Sequence, residues 1–426
     1  MENLDKLIAF DEAFPKRNKK KDLKKNLMLL LVSILIMMLV LEIGLRIFYP
    51  QRLYNECYEI QYEGGSGPST TFDPVLGWRL RSNYSACSYQ PDTNKIIYAT
   101  HNSKGIRLPY EFDYEKGDKK RIVLLGDSMV YGHGVDDSQT LAVNFQRLVG
   151  DNYEVIPISS PAWGNHQEFF AFKDEALKYK PDIVILFFYQ NDFENNLYLN
   201  PIYSQFPKFK LASIDENEIV NIEKMSLNLV NYPPSSLEPP ETFIGNSLSK
   251  MKPFSAFFMR FSHLYSLFYH QKSKITFDLL LGLKKNFSSE TSSESWSVKK
   301  EYDYNMNYAL LLTLKIFEEF KKVADENEVD FVIVNIPSKQ NVDLDYQKKW
   351  VNQFSDVDLN SFQFNKVEVF FEDFSNSRNS NYFTLYNLAN KNFDDFYFKT
   401  DSHLSPKGVE MTAEYVYNEL KKQKII

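Results

Sequence analysis

Short apolar runs alternate with helical stretches in the part of this chain that follows residue 115. Four runs are apolar almost throughout and predict buried strands, at 122–125, 153–158, 182–189 and 330–336. Helical spacing predicts helices at 141–148, 167–179 and about 302–327. Buried strands that alternate with helices are typical of a parallel sheet covered on both faces, so we expect an α/β fold with three layers.

A longer apolar run lies near the start. Residues 27–41 read LMLLLVSILIMMLVL, and Ser33 is the only polar residue among them. A helix continued to Tyr49 would rise about 34 Å, enough to cross a hydrocarbon core of ~30 Å. Glu42 and Arg46 are four residues apart and can pair on one face of this helix. A cleavable signal peptide fits less well because no small-x-small site follows, and a buried core helix would be unusual with so uniform an apolar surface.

The charges beside this run predict its orientation. Seven Lys/Arg lie between Lys16 and Lys25. The positive-inside rule therefore places the N-terminus in the cytoplasm and everything after Pro50 outside the inner membrane, with a single pass. The predicted organisation is a cytoplasmic basic tail at 1–25, a transmembrane helix at 26–49, a juxtamembrane segment of short strands and turns at 50–115, and an α/β domain at 116–426. Residues 196–300 interrupt the strand–helix rhythm and are interpreted as an insertion.

Charge and cysteine content exclude two classes of function. The formal net charge is −7, and residues 1–25 carry eight Lys/Arg against five Asp/Glu, so the remainder carries −10. No basic stripe follows residue 50, which argues against nucleic acid as a partner. Cys57 and Cys87 are the only cysteines, which excludes a zinc or iron–sulfur site built on thiolates. Both follow the apolar run, so a disulfide between them is predicted if that side is oxidising.

Candidate chemistry begins directly after the first predicted strand. Gly126-Asp127-Ser128 places a serine on the turn that opens the next helix, where its hydroxyl is exposed. A hydroxyl is a weak nucleophile until a base removes its proton. His403 is the candidate base, because its loop precedes the last helix, and Asp401 is close enough in sequence to orient the imidazole.

A serine with a histidine base can carry out acyl transfer. This reaction also needs hydrogen-bond donors aimed at the oxyanion that develops on the carbonyl oxygen. The loop 160–165, after the second strand, offers backbone N–H groups of Ala162 and Gly164. The third strand is followed by Asn191, whose side-chain amide can donate. The backbone N–H of Ser128 is a further candidate.

These blocks together resemble the SGNH/GDSL hydrolase superfamily, and in particular its membrane-anchored bacterial branch. Gly126-Asp127-Ser128 is similar to the first block, Asn191-Asp192 to the third, and the segment from Asp401 to His403 to the last. Segments 72–78 and 102–107 resemble stretches that precede the first block in anchored members. The resemblance implies a flavodoxin-like fold, hydrolysis or transfer of an ester-linked acyl group through Ser128, His403 and Asp401, and no cofactor or metal.

Three positions depart from the family pattern, and one of them is Tyr189, which replaces a frequent glycine in the third block. Ala162 occupies the place of the usual glycine in the second block, so its backbone N–H serves only if its φ is compatible. In the last block the acidic residue is commonly three positions before the histidine, where this chain has Thr400, whereas Asp401 is two before. Related polysaccharide acyltransferases resemble the shorter spacing.

Two classes of function stay open at this stage. One is an extracytoplasmic serine esterase acting on acyl esters, with O-acetyl groups on cell-envelope glycans as the expected substrate. A polysaccharide O-acyltransferase would use the same triad with an acyl donor from a membrane partner. The other class is a non-catalytic envelope protein that binds glycan through a degenerate site.

Overall fold

The computed structural model of this protein describes a defined set of residues, namely 19–48, 69–90, 92–93, 95–197, 212–214, 220–222, 262–265, 267, 297–352, 358–378, 380–399 and 401–426. The chain divides into two compact units. One comprises Met1–Asn55 with Phe243–Leu280, and the other comprises Glu56–Thr242 with Leu281–Ile426. Most of the predicted insertion at 196–300 lies outside the described residues.

The first unit contains the apolar helix. Helix α1 spans Lys19–Phe48, and an 18-residue stretch within its segment Leu23–Phe48 has a mean hydropathy of 2.8, so the helix is long and apolar enough to cross a membrane. The predicted pair is present, because Arg46 Nε donates to Glu42 Oε1 at 2.9 Å. The Glu42 carboxylate also accepts hydrogen bonds from Ser262 Oγ and from the backbone N–H groups of His263 and Leu264, at 2.8–2.9 Å. Part of the predicted insertion therefore contacts the apolar helix.

The second unit is built on strands. They are β1 (Thr70–Asp73), β2 (Gly77–Leu80), β3 (Ser85–Gln90), β4 (Lys95–Thr100), β5 (Lys120–Gly126), β6 (Tyr153–Ser159), β7 (Ile183–Tyr189), β8 (Ala212–Ile214), β9 (Val220–Ile222), β10 (Asp330–Ile336) and β11 (Asn381–Thr384). Five of them form one parallel sheet in the order β11-β10-β7-β5-β6. Numbered along the chain, this order is 2-1-3-4-5, which is the flavodoxin-like order. The predicted fold class is therefore confirmed.

Helices follow and cover the sheet. After α1 they are α2 (Ser128–Tyr131), α3 (Leu141–Val149), α4 (Asn165–Asp174), α5 (Asn191–Leu197), α6 (Tyr304–Glu326), α7 (Lys339–Val342), α8 (Leu344–Val351), α9 (Lys366–Arg378), α10 (Tyr386–Lys391), α11 (Phe393–Phe396) and α12 (Pro406–Lys422).

The strands alternate their side chains between two cores. In β5, Val123 and Leu125 join the core that contains α4, α6 and α9, whereas Ile122 and Leu124 join the core that contains α3, α10 and α12. All four are fully buried. A strand covered on both faces has few positions for a polar side chain, which explains why these runs are apolar almost throughout. Burial of each such side chain contributes about 1.5–3 kcal/mol before the entropy cost of ordering it.

The predicted elements differ from the observed ones in several places, and helices α5, α8 and α9 were not predicted. The helix expected at 167–179 is α4 followed by a separate 3₁₀ turn at Ala176–Tyr179. The edge strand β11 was not predicted, because its sequence NYFT is short and half polar.

The segment expected to hold short strands and turns contains two antiparallel pairs, β1–β2 and β3–β4. Cys87 lies on β3, and Cys57 lies outside the described residues, so the disulfide stays a prediction.

A buried carboxyl group on α9 generates a pH-dependent prediction. Glu368 is 5% exposed, and Asn335 Nδ2 donates to its Oε1 at 3.2 Å. Burial raises the pKa of Glu368 from 4.5 to about 7. The folded chain thus holds this proton up to about pH 7 while the unfolded chain loses it near 4.5, so the free energy of unfolding falls as pH rises through that window.

We therefore expect Glu368→Gln to raise the free energy of unfolding by roughly 2–3 kcal/mol at pH 8 and by little at pH 5. Urea unfolding of the full chain in detergent at both pH values measures this difference. Glu326→Gln, an exposed position on α6, is the control and should show no such pH-dependent gain. An equal effect of Glu368→Gln at both pH values would contradict the raised pKa.

Candidate active site

The candidate nucleophile follows the inner strand β5 at the carboxyl edge of the sheet. Ser128 is the first residue of α2, and Gly126 is the last residue of β5. A Cβ at position 126 would lie 2.5 Å from Val130 Cγ2 and 3.3 Å from the carbonyl oxygen of Phe187 on β7. Glycine therefore lets the turn pass this close to the neighbouring strand.

This position is the topological switch point of the sheet. The chain leaves β5 toward β6 on one side and later returns to β7 on the other side of β5. Ligands in open parallel sheets bind in the crevice that forms where the strand order reverses. Ser128 follows β5 and Asn191 follows β7, so two predicted site residues flank this crevice.

Asp127 joins these two residues. Its Oδ1 accepts from the backbone N–H of Met129 at 2.9 Å and so caps α2. Its Oδ2 accepts from Asn191 Nδ2 at 2.9 Å and lies 3.3 Å from Ser128 Oγ. Burial raises the pKa of Asp127, and the hydrogen bonds from Met129 and Asn191 oppose that rise. Asp127 thus binds the backbone amide of Met129 and the side-chain amide of Asn191.

The histidine loop lies between α11 and α12 and is closed at its base. Tyr397 and Leu404 form an isolated antiparallel bridge, and the backbone N–H of Phe398 donates to the carbonyl of His403 at 3.0 Å. The buried Lys339 Nζ donates to the carbonyl of Phe398. Ser405 then caps α12 through the N–H of Gly408. Hydrogen bonds thus tie both ends of this loop to the segments beside it.

The structure brings Ser128, His403 and Asp401 into one hydrogen-bonded chain. His403 Nε2 lies 2.8 Å from Ser128 Oγ, and His403 Nδ1 lies 2.6 Å from Asp401 Oδ1. If Nδ1 carries the proton and donates it to the carboxylate, the lone pair of Nε2 faces the hydroxyl. This is the tautomer that a general base requires.

The short spacing of Asp401 and His403 has a local explanation. Asp401 Oδ1 accepts from the backbone N–H of His403 at 2.9 Å as well as from its ring. An Asx-type turn of this kind brings a carboxylate to the residue two positions on. Burial raises the pKa of Asp401, but the hydrogen bond and the charge of His403 outweigh burial, and the net pKa lies well below its usual range. Asp401 is therefore a carboxylate at neutral pH.

The loop after β6 has a left-handed backbone at Ala162, the position at which the family pattern has glycine. Ala162 has a φ of +63°, in the left-handed region that favours glycine. A non-glycine residue there costs about 1–2 kcal/mol. Two tryptophans brace the loop, because Trp163 Nε1 donates to the carbonyl of Trp78 at 2.9 Å and Trp78 Nε1 donates to the carbonyl of Pro161 at 3.0 Å. The segment 72–78 thus positions the loop of Ala162 through the side chain of Trp78.

Gly164 is not available as an oxyanion donor in this structure. Its N–H donates to Gln167 Oε1 at 3.1 Å, inside the first turn of α4. A Cβ at this position would lie 2.7 Å from Asn196 Oδ1, so glycine serves close packing against α5. The expectation that Gly164 contributes to an oxyanion hole is corrected accordingly. Among the described residues, no acceptor is found for the N–H of Ser128 or of Ala162.

Asn191 keeps part of its predicted role. Its Nδ2 donates one hydrogen to Asp127, and the amide carries a second hydrogen that is available to a further acceptor. Removal of Asn191 would therefore affect both the nucleophile turn and one oxyanion donor.

Sequence reasoning missed a buried polar network behind these loops. Asn165 Nδ2 donates to Glu168 Oε2 at 2.9 Å and to Asp192 Oδ2 at 3.1 Å. All three residues are fully buried. Burial, followed by the charge of Glu168, raises the pKa of Asp192 well above its usual value. The network ties the start of α4 to the start of α5, and Asp192 directly follows Asn191 in the predicted block.

Two further histidines, His133 and His166, lie in the segments that follow β5 and β6, and their surroundings differ. His166 is 3% exposed and its Nδ1 lies 3.1 Å from Asn196 Oδ1, so it belongs to the buried network and does not face a substrate. The side chain of His133 is half exposed, and its ring lies against that of His403 with centroids 4.5 Å apart. His133 Nε2 also lies 3.9 Å from Asp401 Oδ2.

One group among the described residues could hold a metal ion by residue type. Ligand atoms of His133, Asp401 and His403 lie within 4.8 Å of one another. However, the two ring nitrogens of His403 face Ser128 and Asp401, so a metal would have to displace one of these hydrogen bonds. The arrangement fits acyl transfer by a serine nucleophile without rearrangement.

Comparison with known proteins yields structural matches alone. No protein-family model matches this chain, and no curated protein matches it. A GDSL-like lipase from Bacteroides thetaiotaomicron matches with 10% identity and a TM-score of 0.35, covering 73% of this chain and 93% of that one. A lipase/acylhydrolase from Enterococcus faecalis matches with 13% identity and a TM-score of 0.34, covering 71% and 96%. A psychrotrophic esterase from Pseudoalteromonas sp. matches with 10% identity and a TM-score of 0.31, covering 72% and 98%.

The first of these proteins, the GDSL-like lipase, carries the name of the superfamily that the sequence blocks resemble. Its likeness to SGNH/GDSL hydrolases rests on its own strand order and on the serine, asparagine and histidine placed where the strands end.

The left-handed backbone of Ala162 leads to a stability prediction. Ala162→Gly should raise the free energy of unfolding by up to ~1 kcal/mol, because relief of the φ strain exceeds the added entropy of the unfolded chain. Ala171→Gly in α4 should instead lower it by about 1 kcal/mol. Thermal unfolding of both variants checks the opposite signs. Destabilisation by both variants would show that position 162 does not have a positive φ.

Proposed function

We propose that this protein is a membrane-anchored serine esterase of the SGNH/GDSL type, with Ser128 as nucleophile, His403 as general base and Asp401 as the group that orients it. The hydrogen-bonded chain of these three side chains at the switch point of the sheet is the observation that supports this proposal. Hydrogen-bonded serine, histidine and carboxylate groups recur on unrelated folds and are recognised by their geometry.

The first half of the reaction acylates the serine. Ser128 Oγ attacks the ester carbonyl carbon while its proton passes to His403 Nε2. The imidazolium that forms is stabilised by the Asp401 carboxylate, which stays ionised because its pKa is low. The carbonyl oxygen becomes an oxyanion that accepts hydrogen bonds from the N–H groups of Ser128 and Ala162 and from Asn191. Collapse of this intermediate breaks the ester bond, and the alcohol leaves with the proton from His403.

The second half frees the enzyme. His403 takes a proton from water, whose oxygen attacks the acyl carbon, and the acid product leaves as the proton returns to Ser128 Oγ. A sugar hydroxyl in place of water would make the same chemistry an O-acyl transfer. The acceptor that resolves the acyl-enzyme thus distinguishes an esterase from an acyltransferase.

The proposed substrates are O-acetyl esters on cell-envelope glycans. This choice of substrate follows from the proposed location of the catalytic domain. A domain that follows a membrane helix and lies outside the inner membrane meets such esters. The proposed topology has the N-terminus in the cytoplasm, α1 across the inner membrane and the triad outside. It is supported by the length and apolarity of α1 and by the Lys/Arg cluster at its N-terminal end.

The test is esterase activity of the full chain in detergent on p-nitrophenyl acetate and on an O-acetylated oligosaccharide. Ser128→Ala and His403→Ala should each lower kcat by at least about 10³-fold, because members of a triad act as a unit. Asn191→Ala should retain a measurable remainder, roughly 10²-fold below the native rate, because one donor of several is lost.

Ser138→Ala removes an exposed hydroxyl on the turn between α2 and α3 and is the matched control, with native activity expected. Acetate release from the oligosaccharide indicates hydrolysis, whereas acetyl transfer to an added unacetylated oligosaccharide indicates an acyltransferase. Unchanged activity in Ser128→Ala, or glycan binding without turnover, would favour the non-catalytic binding protein.

The topology has a separate test. Protease added to intact spheroplasts should remove an epitope attached after Ile426 and leave an N-terminal epitope protected. Permeabilised spheroplasts serve as the control, in which both epitopes are cleaved. Protection of the C-terminal epitope in intact spheroplasts would show that the catalytic domain is cytoplasmic.

A further inference from the structure

The helix that begins with the candidate nucleophile is too short to hold itself. Helix α2 has four residues and ends at Gly132, which adopts a left-handed conformation with a φ of +80°. The carbonyl of Ser128 accepts from the N–H groups of Gly132 and His133, both at 3.0 Å. Isolated helical turns are unstable, because fixing the first turn costs more conformational entropy than its few hydrogen bonds return. Tertiary contacts must therefore determine where Ser128 and His133 lie.

Arg107 supplies these contacts through its whole guanidinium group. Nη1 donates to the carbonyls of Tyr131 and Gly132 at 2.9 and 2.6 Å. Nη2 donates to the carbonyls of Val135 and Tyr98, each at 2.8 Å. Nε donates to Asp137 Oδ1 at 2.9 Å.

We infer that Arg107 is a positioning residue that holds the turn from Ser128 to Val135 in place, and with it the nucleophile and the histidine beside the triad. This inference rests on the proposed function for its kinetic consequence but not for its structural one. Three of the five acceptors are carbonyls at the end of this turn, at residues 131, 132 and 135. The carbonyl of Tyr131 belongs to the last turn of α2, and a helix leaves the carbonyls of its last turn without partners of its own.

The chemistry of the side chain fits the task. A guanidinium group has five N–H donors in a rigid plane, and all five are used here. A cation at the carboxyl end of a helix also interacts favourably with the helix dipole. Lysine has three donors on a flexible stem and cannot reproduce this pattern. The Arg107 side chain is 3% exposed, so water cannot substitute for a lost hydrogen bond.

Arg107 further couples the turn to two other segments. The carbonyl of Tyr98 belongs to β4, in the antiparallel pair before the sheet, and Asp137 belongs to the 3₁₀ turn that precedes α3. The guanidinium also lies 4.7 Å from the centre of the Tyr131 ring. A role for the segment 102–107, which resembles a stretch found in anchored members of the superfamily, is thereby assigned to one side chain.

The chain contains a matched control. Arg121 is as deeply buried as Arg107, and its guanidinium donates to Glu154 Oε2 and to the carbonyls of Tyr114, Glu115 and Tyr179 at 2.8–3.2 Å. It lies at the amino end of β5, whereas Ser128 follows the carboxyl end of the same strand. Loss of either guanidinium should lower stability, but only the loss of Arg107 should disturb the site.

The experiment compares Arg107→Lys and Arg121→Lys in the full chain in detergent, at a temperature at which both are folded. Arg107→Lys is expected to lower kcat on p-nitrophenyl acetate by about 10- to 100-fold, with KM within about threefold, because a displacement of ~1 Å at reacting groups costs up to ~10²-fold. Hydrogen exchange of the backbone amides at 128–135 should be faster in Arg107→Lys than in the native chain. Arg121→Lys should leave both kcat and this exchange within about twofold of native, since it touches no group at the carboxyl edge.

Equal losses of kcat in the two variants, or native exchange at 128–135 in Arg107→Lys, would overturn the inference. If Arg107→Lys does not fold, Asp137→Asn removes the charge on the Nε partner and should still lower kcat severalfold and raise exchange at 128–135; native values in that variant count against the inference. A native chain without Ser128-dependent activity would end the proposed function, while the exchange comparison would still decide the role of Arg107.

Discussion

The close passage of the turn at Gly126 beside strand β7 is the constraint on which the candidate site depends. A side chain at this position would meet Val130 and the carbonyl of Phe187, so the chain leaves β5 there without one. The turn then places Asp127 within hydrogen-bond distance of Asn191, which follows β7. Because parallel strands end at the same edge, this one contact joins two separate predicted blocks and aims Ser128 into the crevice where the strand order reverses.

Around this contact the site is held by segments that carry no candidate chemistry of their own. Arg107 holds the end of the nucleophile turn, Trp78 braces the loop of Ala162, and Lys339 holds the loop of His403 through the carbonyl of Phe398. Irregular loops leave many backbone groups without regular partners, and buried side-chain donors satisfy them here. Catalysis by positioned groups requires such support, because reacting groups must lie within about 0.5 Å of the productive geometry.

Two groups of carboxylates in the site show how environment separates roles. Asp401 receives hydrogen bonds from His403 and its pKa falls, whereas Asp127 and Asp192 are fully buried and their pKa values rise. The first is suited to stabilise an imidazolium ion, and the other two are suited to hold loops through hydrogen bonds. Burial and the charge of the nearest neighbour account for this difference.

The sequence by itself determined the parts that depend on local pattern. Periodicity and short motifs predict the strands near 122, 153, 183 and 330, the apolar α1 and the order of Ser128, Asn191, Asp401 and His403 along the chain. They do so because burial on two faces and turn chemistry act on neighbouring residues. Tertiary structure decided the rest. The edge strand β11 is too short and too polar to be predicted from its own sequence, and it forms because β10 pairs with it. Three features depend on atoms brought together from distant positions or on the exact path of a loop, which no spacing of residues encodes. They are the positive φ of Ala162, the hydrogen bond that occupies the N–H of Gly164, and the five hydrogen bonds of Arg107.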